Sequence, residues 1–214
     1  MCWNTSVSLN TFLFSGFILL LIIYNNAYTE YKIQELNNIW VYLFLSSFIF
    51  MQLVEYFIWK NINNPFYNNL FTIIGFFLIG SQPIFSSMII SNKKIRNIII
   101  FIYLLFAIPY AMYQLYYKKI YSKVSKSGHL SWETFKLEPP LLFIWLFCLV
   151  FSLIYEKLWV GLSFGVILFI ISYYKYNKEG SVGSMWCWLI NSIMIYYAFY
   201  LLFYLPYYNK KNIC

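Results

Sequence analysis

The sequence predicts an all-α polytopic membrane protein, a bundle of seven transmembrane helices in one domain over 1–214. Two observations carry this. Seven long apolar runs, at roughly 7–25, 38–60, 67–91, 96–117, 140–156, 158–174 and 182–206, fill most of the chain. Each has about 17–25 residues, enough for a helix to cross roughly 30 Å of hydrocarbon. The composition agrees: 62% of residues are hydrophobic, 24% aromatic and 10% charged. An average soluble domain is about 25% charged. Hydrocarbon offers no partner to a bare backbone group, so each run is expected to be a helix.

The first run follows Met1–Ser6, which lacks a basic region, and no small-residue cleavage site comes after it. It is therefore expected to stay as an anchor. Asn4-Thr5-Ser6 is a formal glycosylation acceptor, too close to the first run to be used. Alternation places 1–6, 61–66, 118–139 and 175–181 on one side, here side A. Side B holds 26–37, 92–95, the tight 156–157 turn and the C-terminal tail. The longest connection, 118–139, is read as a loop, basic in its first half, too short for a core of its own. It ends at Glu138-Pro139-Pro140. The proline pair suits the first turn of a helix, where the missing N–H matters least. Tyr and Trp crowd the ends of the runs, as in the aromatic belts at headgroup level. No internal repeat aligns.

The formal net charge is +8, with no Asp anywhere. The cations sit in short connections at helix ends, which fits topology and lipid headgroups and argues against a nucleic-acid partner. Weighting by nearness to a helix end sets Lys32, Lys93, Lys94, Arg96, Lys157, Lys210 and Lys211 of side B against Lys60, Lys118, Lys119, Lys175 and Lys178 of side A. Side B is thus expected in the cytoplasm, with the N-terminus outside or lumenal. The expected partner is the lipid bilayer. No feature predicts an oligomer or a cofactor.

In the second run, Gln52, Glu55 and Trp59 fall on one helical face. Glu55 is the one acidic residue placed well inside hydrocarbon, where an ionisable group is a functional hypothesis by default. Its alternative role is packing, as a neutral carboxyl bonded to a neighbouring helix. The third run carries Gly75 and then Gly80-Ser81-Gln82-Pro83. Pro83 removes a backbone hydrogen bond, so a kink or a short unwound stretch is expected. Carbonyls freed there would face a cavity or be absorbed in an ordinary kink. Pro109 in the fourth run, with Gln114 beyond it, is a second such place. Gln52, Glu55, Gln82 and Asn191 form the candidate polar site, between the second, third and seventh runs.

A second candidate group collects on side A: Cys2, Trp3, His129, Trp132, Trp186, Cys187 and Trp188. The loop is expected to fold back and bring His129 and Trp132 near Cys2, Trp3 and Cys187, because Trp and His prefer an interface to open water. No close-spaced ligand pair exists there, so no metal is expected. The open alternatives are interfacial anchoring by Trp with unpaired thiols and a disulfide between Cys2 and Cys187 in an oxidising lumen. Cys148 reads as a small packing residue, and Cys214 as a possible acylation site.

A retinal protein needs a lysine in its last helix, and 182–206 has none. No Gly-x-Ser-x-Gly, phosphate loop or His-rich hydrolase pattern is present. Met1-Cys2-Trp3-Asn4, Gly128-His129-Leu130-Ser131-Trp132 and Gly183-Ser184-Met185-Trp186-Cys187-Trp188 resemble short motifs in small multi-pass membrane proteins of giant DNA viruses. The resemblance implies a viral or protist setting and a host or virion membrane, and no activity. Three readings follow: a bundle that binds or moves a small solute or lipid, a non-catalytic structural membrane protein, and an intramembrane lipid-modifying enzyme.

Overall fold

The computed structural model describes residues 4–132 and 139–208. The chain is helical apart from one small hairpin. Its elements run α1 (Thr5–Tyr28), α2 (Ile39–Lys60), α3 (Pro65–Met88), α4 (Lys93–Tyr117), β1 (Ser122–Val124), β2 (Leu130–Trp132), α5 (Pro139–Tyr155), α6 (Trp159–Tyr176), α7 (Val182–Ile190) and α8 (Ile193–Phe199). The last two are halves of one apolar stretch, Val182–Tyr208. Six helices are long and apolar enough to cross a membrane, compatible with a multi-pass protein. The remaining expected span, α5, is apolar with 17 described residues, the length expected for it and the short end of what crosses a membrane. At 1.5 Å per residue that is about 25 Å, short of the roughly 30 Å core.

Asparagine starts the first four helices. The side chains of Asn4, Asn38, Asn64 and Asn92 accept from backbone N–H groups of the first turn, at 2.9 to 3.2 Å. Each satisfies donors that a helix start leaves open. Pro65 follows Asn64 in the first helical position, where its fixed φ suits the helix. The α5–α6 turn is a Schellman close: Lys157 N bonds Ile154 O and Leu158 N bonds Leu153 O. Lys157 takes the left-handed conformation there, with φ 57°.

At the centre α2 packs against α1, α3 and α7. Helix α3 also meets α4 and α5, and α5 meets α6. Lipid-like apolar surfaces give helices no hydrophobic reason to associate, so small residues that permit close packing matter. Ser8 and Ser15 lie on the buried face of α1. At Gly75 a Cβ would stand 2.9 Å from Met51 Cε, so α2 and α3 approach there as only glycine allows. Ser86 of α3 donates to Leu149 O of α5 at 2.6 Å and also bonds the Ser152 hydroxyl.

Two expectations about helix continuity need revision. Helix α3 runs unbroken through Pro83. Pro83 cannot donate to Ile79 O, its i−4 partner. That carbonyl instead accepts from Trp145 Nε1 of α5, at 3.3 Å. The neighbouring Gly80 O accepts from the Tyr103 hydroxyl of α4, at 2.6 Å. The freed carbonyl is thus capped by an indole and no unwound stretch forms. The seventh run, by contrast, is interrupted at Asn191–Ser192. Asn191 Nδ2 donates to Cys187 O at 2.8 Å, taking the carbonyl its own backbone N–H would use. The backbone N–H of Asn191 bonds Trp188 O instead, a tighter i−3 register. Farther on, Tyr200–Tyr204 widen to a π-helix just before Pro206.

The 118–139 connection is more than a loop. β1 and β2 pair antiparallel, with Ser122 opposite Trp132 and Val124 opposite Leu130. The hairpin turns through Gly128 at φ 79°, a conformation glycine adopts without strain.

The indole cap yields a testable coupling. Trp145→Phe should strand the Ile79 carbonyl and destabilise the protein by about 1–3 kcal/mol. Pro83→Ala restores a backbone donor, so in that background Trp145→Phe should cost clearly less. A double-mutant cycle on detergent-solubilised protein, read by thermal melting, checks this. Additive effects would reject the capping role.

Candidate functional site

The polar residues of the second, third and seventh runs meet in the interior. Gln52, Glu55 and Gln82 are each 0% exposed, and Asn191 is 4% exposed. Cys187 of α7 is buried as well, at 1% exposure. Asn191 Nδ2 also spans to Phe48 O of α2, at 3.3 Å, so the break in the last span is tied to α2. Asn191 Oδ1 is buried without a hydrogen-bond partner among the described residues. The cluster is packed shut. The cavities described below are not lined by Gln52, Glu55, Gln82 or Asn191.

Trp186 and Cys187, expected at the side A end, are buried at 3% and 1% exposure. They lie on the inward face of the short, strongly amphipathic α7, which crosses α2 and α6. Trp186 packs edge-on against Phe48, Trp145 and Phe169. Its Nε1 donates to Gly165 O at 3.1 Å. Trp188 faces the other way and donates to Thr11 Oγ1 of α1 at 3.1 Å. Cys2 and Trp3 lie outside the described residues, and with them the Cys2–Cys187 pairing and the approach of His129 to Cys2. Cys214 lies outside them too. Cys148 is buried in α5. Among the described residues no three of His, Cys, Asp and Glu gather as a metal site.

The hairpin closes the side A end of the bundle. Asn68 of α3 holds the outer edge of β1 like a neighbouring strand. Its Nδ2 donates to Ser122 O and its Oδ1 accepts from Ser122 N, both at 2.9 Å. Thr72 bonds the Ser122 hydroxyl at 2.8 Å, and Asn69 Nδ2 donates to Ile120 O at 2.6 Å. On the other side β2 packs on α7, and Ser131 donates to Gly180 O at 3.1 Å. Ser125 and Ser127 donate to the Glu179 carboxylate. Trp132 enters the bundle end beside Met51, Ile58, Thr72 and Gly75. His129 is 5% exposed and lies edge-on to Tyr176, with ring centroids 5.1 Å apart.

Beside the hairpin opens a cavity of about 700 Å³. Its apolar wall is Trp132, Trp145, Trp186 and Leu142, from β2, α5 and α7. Lys123, Lys126 and Lys178 stand at its rim, with Glu179 among them. A second, apolar cavity of about 290 Å³ lies between α3, α4 and α5. It includes Phe76, Tyr103, Ala107, Ala111, Leu141 and again Trp145. Sequence reasoning passed over Trp145 and the three rim lysines. One clue was available: Pro83 orphans Ile79 O, so some donor had to stand near it in a neighbouring helix. The chain matches no protein-family model, no curated protein and no solved structure.

His129 makes the hairpin dock pH-sensitive. Burial holds its pKa below the ordinary 6.5, aided by Lys175 and opposed by Glu179. A depressed histidine pKa means the unfolded chain binds the proton more readily. The docked form is then fully stable above the ordinary value and loses stability as pH falls below it. The protection of the Leu130–Trp132 amides, measured relative to their intrinsic exchange rates, should fall between pH 7.5 and 5, and His129→Asn should flatten that profile. An unchanged pH dependence in His129→Asn would remove His129 from this role.

Proposed function

We propose that this chain is a seven-span integral membrane protein that binds an anionic amphiphile, such as a single-chain lipid, at its side A end. The crossing of α5 is supported by its ties at both ends of the bundle. At its start Leu142 and Trp145 share a cavity wall with the hairpin and α7. At its finish Glu156 accepts from Ser91 N and Ser91 Oγ, at 2.7 and 2.9 Å, in the α3–α4 turn. A locally thinned bilayer accommodates a short span at modest cost. With seven spans the termini lie on opposite sides, and the cations near the side B helix ends favour a cytoplasmic C-terminus.

The observation that carries the binding reading is the side A cavity. Its tryptophan wall suits the first methylenes of a lipid, and its lysine rim suits an anionic headgroup. Such a cavity at the bundle end lies where headgroups lie. The full chain in phosphatidylcholine nanodiscs, titrated with dodecyl phosphate, should give a saturable change in tryptophan fluorescence. The change should weaken with salt. The Lys126→Gln, Lys178→Gln double variant should bind at least fivefold less tightly. Equal binding of zwitterionic dodecylphosphocholine would overturn the reading.

The structural-protein reading has one observation in its favour, the closed packing around Glu55. It predicts that wild-type protein shows no saturable response to dodecyl phosphate. It also predicts that Glu55→Leu changes melting alone. Passage of solute through the α2–α3–α7 cluster would require that packing to open.

A further inference from the structure

We infer that the two cavities beside Trp145 form one bipartite lipid site: the side A cavity takes an anionic headgroup, and the α3–α4–α5 cavity takes its single alkyl chain. This rests on the binding reading above and adds to it where the chain goes and how many chains are accepted. The first observation is a shared wall. Trp145 belongs to both walls, and the adjacent residues of α5 divide between them, Leu142 to the headgroup side and Leu141 to the chain side. The second is chemistry. The side A cavity combines lysines with aromatic surface, whereas the other is almost wholly apolar, floored by Phe76 and Ile84 of α3 and by Leu104 and Ala107 of α4. The third is order. The shared indole is held by its bond to Ile79 O, so the partition stays in place.

Depth agrees with this division. The headgroup cavity lies against the hairpin, Gly180 and the first turns of α5 and α7. The apolar cavity lies along α3 from Phe76 to Ile84, well inside that helix. A chain moving from bilayer to pocket exchanges one apolar surrounding for another, so its gain comes from close packing in the pocket, which a filling side chain removes. Charge at the lysines would select the ligand, and the pocket would select its shape. At about 290 Å³ it suits one alkyl chain better than two.

The test uses the full chain in phosphatidylcholine nanodiscs with two probes, dodecyl phosphate and inorganic phosphate. Ala111→Phe and Ala107→Leu fill the chain cavity from α4, where neither side chain carries a hydrogen bond. Each should weaken dodecyl phosphate at least tenfold and leave inorganic phosphate unchanged. Helicity and elution volume identify any variant that fails to fold. As a measurement on wild-type protein, dodecyl phosphate with a diazirine at its chain end should label α3 and α4 residues of the apolar cavity. Wild-type dodecyl phosphate affinity in both filled variants, or labelling confined to α1 and α8, would overturn the bipartite site and leave headgroup binding standing. Inorganic phosphate binding as tightly as dodecyl phosphate would also overturn it. Failure of wild-type protein to bind dodecyl phosphate at all would remove the binding reading itself.

Discussion

A backbone carbonyl or N–H without a partner is costly wherever water cannot reach, and this constraint shapes the molecule. Three times a side chain stands in for a missing backbone group. Trp145 replaces the N–H that Pro83 lacks. Asn191 Nδ2 replaces its own N–H on Cys187 O. The Asn68 carboxamide supplies the strand that β1 lacks on its outer edge. Each substitution also fixes a tertiary contact. Trp145 ties α5 to α3, Asn191 ties the last span to α2 through Phe48 O, and Asn68 ties the hairpin to α3. In a bundle whose helices gain little from hydrophobic contact, such bonds supply the specificity.

Helix placement was legible because membrane hydropathy is a composition effect over about 20 residues and survives local detail. Asn4, Asn38, Asn64 and Asn92 set the starts of four helices by capping, a signal the hydropathy reading did not use. The hairpin was not legible. Its strands have three residues each, Ser122–Val124 and Leu130–Trp132, too short for alternation to register. It forms because Asn68, Asn69 and Thr72, far away in sequence, hold its edge. The interruption at Asn191 was hidden for a similar reason: asparagine in an apolar run reads as a polar contact, and its competition with the helix depends on rotamer and neighbour.

The candidate site divides the same way. Glu55 and Gln52 could be assigned to one face from spacing, and energetics turned that face inward: a mid-membrane carboxylate in lipid costs about 2.5–3.5 kcal/mol on insertion scales. Cys187 and Trp186 were drawn to the interface by their place at the start of a run. The short α7 instead turns them against α2 and α5, and burial is nearly complete. The rim lysines are ordinary loop cations in sequence. They acquire meaning through the hairpin, which sets Lys123 and Lys126 beside Lys178 of the α6–α7 turn.

The polar interior cluster and the side A cavity are therefore different places. Gln52, Glu55, Gln82 and Asn191 come from three elements and are fully packed, as expected of groups that set helix register by hydrogen bonding. The open surface is built at the bundle end from short pieces: a three-residue strand, the first turns of α5, and the α6–α7 turn closed by Gly180. Trp145 and Trp186 connect the two regions. Both line the cavity, and Trp186 adjoins Cys187 within the closed cluster. Occupancy of the cavity bears on the two indoles first. Through Trp186 and its edge contact with Phe48, it reaches the α2–α7 seam that Asn191 bridges. A ligand at the bundle end would thus act on the one interrupted helix without entering the polar interior.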